Sequence, residues 1–546
     1  MQLVPKKLLN HPSATKAVLI LILLVWALFL WRALDAFAPN GTYSSDSGIP
    51  VLMSNDERPI TVFNLYYYAA DRWGGWPFLV AQFIRRATGH HWSDQSLFRM
   101  QAVWIFVGVL ALVALASRDR LAVMVAYLTA LCLHSETRLQ IFILSQLYAW
   151  QLTALLLCWY SLRRLFDGAL EPPPEKKKTW NWKRTAWSLL AFLFALLAVW
   201  SSVASVPFLL FLLCLETLRA HLKREKREGD WKLLRQSIEC LILIAAAWLF
   251  ELLLKWNYHR HSLKHYGSDF SAGFKLDLGY LGENLRANLH NITKLSWWPL
   301  YLLSTLAALA VLCVLVYALF KQRRDLLARL RGIFAEETVI IAAGAYGLAV
   351  INFVLAVLVN HVRLNYYDDR FLIPTYLFGP ISGLLVIFLI FDLAAKSAKN
   401  SSHLKAAARP AFVLTLFLLL VFKFPTRTTD PYYQSLSETA LALAQKAPRG
   451  ILMGGYWETY VFTSLQPVDA MTAVPLEGQE VRTPWTPELV RQASEVIVEY
   501  RHTYRLGDQG SPPERLNQYG NSLRLVDPQW YRNGEYAFAL YANESR

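Results

Sequence analysis

The chain has 546 residues, of which 55% are hydrophobic and only 17% charged, a balance too apolar for a soluble protein of this length. Its net charge of +15 is divided among short basic runs in separate loops. That pattern excludes a nucleic-acid partner as the first reading and points to membrane topology instead.

A bilayer core takes about 20 largely apolar residues per helix. Runs of that kind fall near 17–38, 95–116, 121–135, 139–160, 186–202, 204–218, 236–254, 298–320, 337–359, 371–392 and 410–424. The expected fold is therefore a polytopic α-helical membrane protein of about eleven helices, with 121–135 and 204–218 short enough to be tilted. With the N-terminus (Lys6, Lys7, Lys16) in the cytoplasm, the inside loops are 117–120, 161–185, 219–235, 321–336 and 393–409. Every one is basic, as the positive-inside rule requires. No A-x-A-like cleavage site follows the first span, so it reads as a retained anchor. All five cysteines (Cys132, Cys158, Cys214, Cys240, Cys313) fall inside predicted helices, which leaves no disulfide framework and no cysteine metal site.

Three outside segments are substantial. The first, 39–94, opens with "NGTYSSDSGIPVLMSNDE", a turn-rich stretch carrying Asp46, Asp56 and Glu57. Its Tyr- and Trp-rich remainder suits helices in the headgroup layer, broken at Gly74–Gly75. The second, 255–297, brings together His259, His261, Lys264 and His265. These suit a mobile basic loop over a phosphate, and a metal cluster is the alternative. The third, 425–546, reads as an extracytoplasmic α/β domain following a transmembrane part over 1–424. Helices are expected at 435–445 and at 486–495, the latter capped by Thr486. Strands are expected at "GILMGG", "EVIVEY" and "SLRLVDPQWYRNGEYAFALYA", the last turning at Asn533–Gly534. "EPPPEKKK" (171–178) is a cytoplasmic linker.

The centres of the predicted spans hold no ionisable side chain; the charges stand instead at the outer ends. Glu136 and Arg138 lie between spans three and four, Glu251 and Lys255 near span seven. His361, Arg363, Asp368, Asp369 and Arg370 lie between spans nine and ten. This arrangement fits a substrate with one end in lipid and a polar head at the boundary, such as a polyprenyl-phosphate sugar. Sugar transfer from it needs one carboxylate to take a proton. It also needs cations for the departing phosphate, which arginine's planar fork matches. Plainer readings stand beside each residue. Asp46 is a turn-former, Asp56 and Glu57 are surface charge or a cap, Arg370 is an interfacial anchor, and Glu136 pairs with Arg138. No cofactor is required, though the adjacent Asp368 and Asp369 could hold a divalent cation with a lipid phosphate. Asn40 and Asn291 head glycosylation sequons.

An acid less than about ten residues beyond the first span, with "GHHWSDQSLFRMQAVW" (89–104), "SETRLQIFILSQLYAW" (135–150) and "NYYDDRFLIPTYLFGP" (365–380), resembles the GT-C superfamily of membrane glycosyltransferases. The likeness is to the family 39-type branch, which holds protein mannosyltransferases and lipid A aminoarabinose transferases. "GILMGGYWETY" also fits the trailing outside domain. The resemblance implies Asp46 as general base, with Arg370, Tyr366 and Tyr367 at the carrier phosphate. It also implies that Glu136 or Arg138 lines the same cavity, to which the basic loop's Lys264 and His265 would add cover over the donor phosphate. The mannosyltransferases carry adjacent Asp–Glu in the first loop. Here Ser47 follows Asp46 and the Asp56–Glu57 pair comes later, so these two are alternative acids. The implied partners are a polyprenyl-phosphate sugar, an outside glycan, lipid or protein acceptor, and membrane lipid, in a bacterial inner membrane. The rival expectation is a lipid or lipid-linked oligosaccharide transporter, or a non-catalytic relative.

Overall fold

The computed structural model describes residues 45–67, 70–117, 119–133, 141, 144, 146–170, 182–223, 230–261, 277–321, 324–334, 336–364, 366–397, 411–416, 431–467, 470–475, 485–501 and 511–545. The predicted span 17–38, the linker 171–178, and Glu136, Arg138, Lys264 and His265 lie outside them.

The described part begins with helix α1 (Ser45–Asn55) where the sequence reads as turn. Its Ser, Asp and Gly content and the internal Pro50 all disfavour a helix, so packing must hold it. A 3-10 turn (Val62–Leu65) and a hairpin of β1 (Tyr66–Tyr67) and β2 (Ala70–Gly74) follow. The expected interfacial helix is confined to α2 (Trp76–Thr88), which begins after the predicted break. Pro77 sits in its first turn, and Gly89, at φ 71°, ends it in the left-handed conformation that glycine tolerates. Trp76, Phe78 and Ala81 are buried while Val80, Phe83 and Ile84 face outward, the division expected of a helix lying along the headgroups.

The bundle then comprises α3 (Asp94–Ala114), α4 (Arg120–Leu133), α5 (Tyr148–Leu170), α6 (Trp182–Ser201), α7 (Ser205–Lys223) and α8 (Asp230–His261). After α9 (Leu278–Thr293) come α10 (Pro299–Phe320), α11 (Arg324–Phe334), α12 (Glu337–Leu358), α13 (Asn360–Leu364) and α14 (Ile373–Ser397). Among the described residues, seven helices are long and apolar enough to cross a membrane. The protein is a polytopic membrane protein. Helix α4 has only 14 residues, and α5 carries Arg163, Arg164 and Asp167 in its second half.

Helix α5 departs most from expectation. The predicted span ended at 160 with Arg163 in a loop, yet the helix continues to Leu170 and Arg163 is buried. The reason is a partner. Glu216 of α7 accepts from Arg163 Nε and Nη2 at 2.7 Å, from Trp159 Nε1 at 2.7 Å and from Arg219 Nε at 2.6 Å. Arg219 also binds Asp167 at 2.7 Å. Charges therefore occur inside the bundle as well as at its outer ends, and there they neutralise one another. Small residues allow close packing elsewhere: a Cβ on Gly344 of α12 would overlap the Trp159 ring. Helix α10, apolar all round, exposes Leu302, Leu306, Leu309 and Leu312, the surface that lipid covers.

The C-terminal domain contains α15 (Pro431–Lys446), β3 (Gly450–Gly454), α16 (Tyr456–Ser464), β4 (Met471–Pro475), α17 (Thr486–Gln492), β5 (Glu495–Glu499), β6 (Arg515–Gln518), β7 (Asn521–Asn533) and β8 (Tyr536–Asn543). Its six strands are ordered β4-β3-β5-β8-β7-β6; β4, β3 and β5 are parallel and the rest antiparallel. The expected turn holds, with Gly534 at φ 54°. The expected cap does not: Trp485 precedes α17 and Thr486 lies inside it. Alternation along β5 and β8 feeds one core around Leu436, Phe462 and Phe538 and another around Val490, Val496 and Tyr541.

Chain direction fixes which groups share a rim. Helix α3 has 21 residues, roughly 32 Å at about 1.5 Å each. At its start the Tyr433 hydroxyl of α15 donates to Asp94 at 2.7 Å. Just past its end, Ser117 N donates to Glu337 at the start of α12 at 2.6 Å. Helix α12 then returns across the bundle, so the segment 360–372 lies on the rim that bears the C-terminal domain.

Candidate active site

Helix α1 lies between bundle and C-terminal domain. Ile49 and Met53 are buried with Trp76, Phe78, Leu147, Trp150 and Tyr460. At Gly48 the helix nearly touches α16: a Cβ there would come within 2.6 Å of Ser464 Oγ and 2.7 Å of the Tyr460 carbonyl. Any larger residue would push the two apart. Asp46 belongs to the first turn of α1. Its side chain lies outside the described residues. Pro50 has no N–H to offer the Asp46 carbonyl, so the helix is loosened where that acid stands.

Beneath α1 lies an indole floor. Trp76 is 5.6 Å from Trp104 and 5.3 Å from Trp150, ring centre to ring centre, and Trp104 stacks on Trp150 at 5.7 Å. Each indole N–H has an acceptor: Ser201 Oγ at 2.9 Å, the Trp150 carbonyl at 3.3 Å and Gln101 Oε1 at 3.1 Å. Such rings are fixed in orientation.

The alternative acids are already engaged. Asp56 is buried and receives Arg58 Nε at 2.8 Å and Nη2 at 3.1 Å, while Arg85 binds Glu57 at 2.6 Å. The Asp56–Arg58 pair closes the turn after α1, and the Glu57–Arg85 pair fastens that turn to α2, with Gln82 of α2 donating to the Asp56 carbonyl at 2.8 Å. Arg58 also lies 3.7 Å above the Trp485 ring. This stack borders a cleft of about 410 Å³ between α1 and the C-terminal domain, lined also by His91, Tyr460, Ser464 and Gln466. In its lining, Gln466 Oε1 is buried with no hydrogen-bond partner among the described residues, and Ser47 Oγ, Ser54 Oγ and Gln82 Oε1, on α1 and α2 but outside the lining, are likewise unpartnered. Orphaned polar atoms of this kind are completed by water or a polar ligand.

Arg370, Tyr366 and Tyr367 stand together on the same rim. Tyr366 and Tyr367 adopt left-handed conformations (φ 53° and 57°), strained for aromatic residues. The Tyr367 carbonyl accepts from Asn291 Nδ2 at 2.9 Å, which anchors the turn to α9. Tyr366 is 93% exposed. Burial, and then the nearby Glu283 carboxylate, raise the Tyr367 pKa, keeping the phenol a proton donor. Arg370 is the second residue of a 3-10 turn (Asp369–Leu372) capped by Asp368, whose Oδ2 is 3.5 Å from Arg370 Nε. Asp369 accepts from Tyr376 at 3.0 Å and meets Lys294 at 3.4 Å. The two adjacent aspartates thus serve different partners. Among the described residues no group of three His, Cys, Asp or Glu gathers as a metal-ligand set.

Other expectations change. Asn291 is buried in α9 with its amide engaged, a poor glycosylation acceptor. Residues 257–261 continue α8 instead of opening a loop, and His261 bonds the Asn257 carbonyl at 2.9 Å. Glu251 lies buried in α8 under the Tyr66 hydroxyl, 3.3 Å away. The side chain of His361 lies outside the described residues, and His90 is exposed against Trp92. Sequence reasoning missed the cleft, whose two walls lie some 400 residues apart in the chain. It also missed the Glu216 network, although Glu216 and Arg219, three apart in an apolar run, were the available signal.

No family model and no curated protein matches the chain. Among solved structures it is similar to ArnT from Cupriavidus metallidurans in the apo state. That likeness has a TM-score of 0.52 and 10% identity, over 97% of this chain and 99% of that one. Archaeoglobus fulgidus oligosaccharyltransferase AglB, in complex with an inhibitory peptide and a dolichol-phosphate, matches at TM-score 0.38 and 11% identity, over 89% of this chain and 70% of that one. The apo oligosaccharyltransferase of the same organism matches at TM-score 0.38 and 13% identity, over 88% and 69%. From the first-loop helix to the last strand, the chain has the fold of ArnT.

Proposed function

We propose that this protein is an inverting membrane glycosyltransferase. It takes a sugar from a polyprenyl-phosphate donor and delivers it to an acceptor on the face bearing the C-terminal domain. In this reading Asp46 removes the acceptor hydroxyl proton as the oxygen attacks the anomeric carbon. The carbon–oxygen bond to phosphate breaks, and the carrier leaves as a phosphate anion held by Arg370 with Tyr366 and Tyr367 beside it. Glu136, Arg138, Lys264 and His265 would line the same cavity.

One observation supports the proposal: the helix bearing Asp46 and the turn bearing Arg370 lie on the same rim of an ArnT-like fold. The acceptor would enter through the cleft beside α1, whose polar lining, including the orphaned Gln466 amide oxygen, suits a polyhydroxylated group. Basic loops on the opposite rim favour the cytoplasm there, with an extracytoplasmic domain over 425–546 and a bacterial inner-membrane setting. A transporter reading is weaker, because Gln151 and Asn352, polar side chains among the helices, are engaged in helix packing. Gln151 donates to Ser205 at 3.0 Å, and Asn352 to Thr375 at 2.9 Å.

The test is transfer of radiolabelled sugar from synthetic polyprenyl-phosphate donors by the purified full-length protein in lipid nanodiscs. Asp46→Asn should retain the donor and lose roughly 10²–10⁴ in rate. Undiminished transfer by that variant would remove Asp46 as base.

A further inference from the structure

On the rim opposite the C-terminal domain, the end of α5 and the starts of α6 and α8 enclose a second pocket of about 220 Å³. Its charged lining comprises Arg164, Lys183, Arg184 and Asp167, three cations against one acid. Asp167 is held by buried Arg219, and Arg184 is paired with Glu239. Arg164 and Lys183 are exposed and have no carboxylate partner among the described residues; Arg164 lies 5.7 Å over the Trp187 ring. The pocket therefore presents two available cations above a neutralised floor.

The walls say what reaches it. Leaving the pocket, α6 exposes Leu189 and Leu193, and α8 exposes Leu234, Ile238 and Ile242. Trp182 and Trp231, at the two helix starts, are 67% and 73% exposed, as indoles are at a membrane–water boundary. The lipid-facing sides of both helices thus begin at the level of the pocket, as an apolar strip about half a turn round each helix from the lining residues. The volume is below the roughly 300–1,000 Å³ of sites that enclose a whole small molecule, and it suits a headgroup whose chains remain outside.

We infer that this pocket binds the phosphate of an anionic glycerophospholipid, with Arg164 and Lys183 on the phosphate and the acyl chains along α6 and α8. Charge complementarity selects the lipid, and the apolar strip selects a lipid over a free anion. The site is independent of sugar transfer.

The test is native mass spectrometry of the delipidated full-length protein, titrated with phosphatidylglycerol or phosphatidylcholine. Wild type should prefer phosphatidylglycerol. Arg164→Gln with Lys183→Gln should weaken its binding by roughly thirty-fold, at about five-fold per cation. The charge-retaining pair Arg164→Lys with Lys183→Arg should keep it, which separates loss of charge from loss of fold. Equal phosphatidylglycerol binding by wild type and the neutral variant would overturn the assignment. So would displacement of the lipid by millimolar inorganic phosphate, which would mark a free-anion pocket.

Discussion

Two charge clusters, one on each rim of the bundle, treat charge in opposite ways. Away from the C-terminal domain, Glu216 is gripped by Trp159, Arg163 and Arg219 at 2.6–2.7 Å with side chains 0–4% exposed. On the rim with the C-terminal domain, Lys294, Arg370 and Arg363 stand 3.4, 3.5 and 3.8 Å from their carboxylates, with side chains 24–56% exposed. Short buried pairs have no capacity left for a ligand, whereas long half-exposed ones can exchange a carboxylate for a phosphate at little cost. The Glu216 cluster is a fastening and the turn around Arg370 a receptive surface.

The sharpest way to break that contrast is Glu216→Ala. It would leave two arginines buried without their shared counter-charge, an expected loss of about 3–5 kcal/mol in stability. Thermal unfolding in detergent would reveal it, and a Tm equal to wild type would mean the network is not a fastening. Arg370→Gln should do the reverse. Sugar transfer should fall roughly 10²–10³-fold, as for loss of one transition-state donor, while stability moves by less than about 1 kcal/mol. An Arg370 variant that unfolds early yet transfers normally would exchange the roles of the two clusters. The smallest effect belongs to Tyr433→Phe, which deprives the buried Asp94 carboxylate of a donor 2.7 Å away. Burial, and the acid beside it, already hold that phenol well above its usual pKa. Its removal should cost about 1–3 kcal/mol and hasten proteolysis between bundle and domain, with transfer by the intact fraction unchanged.

The sequence made most of the bundle legible because long apolar runs have few alternatives in lipid. β5, β7 and β8 were legible by alternation and by the Asn533–Gly534 turn. Helix α1 was not, because its composition argues for turn and only tertiary contact, with α2, the indoles and α16, overrides it. The buried Arg163 was read as loop because a charge ends an apolar run, and its partner on α7 is 53 residues away. Asp56 and Glu57 were visible as acids, but nothing local marks Arg58 and Arg85 as the side chains that occupy them. Interactions set by tertiary pairing were thus hidden, while those set by local pattern were not.

The close approach of Gly48 to Ser464 also bears on how the protein is made. A segment so unsuited to helix cannot settle until α16 has emerged, about 416 residues later. At the usual pace of synthesis, roughly 5–20 residues per second, that is a wait of about 20–80 s. The helix that bears Asp46 is thus finished among the last parts of the molecule, so a truncated or stalled chain would sit in the bilayer with its spans in place and this corner unbuilt.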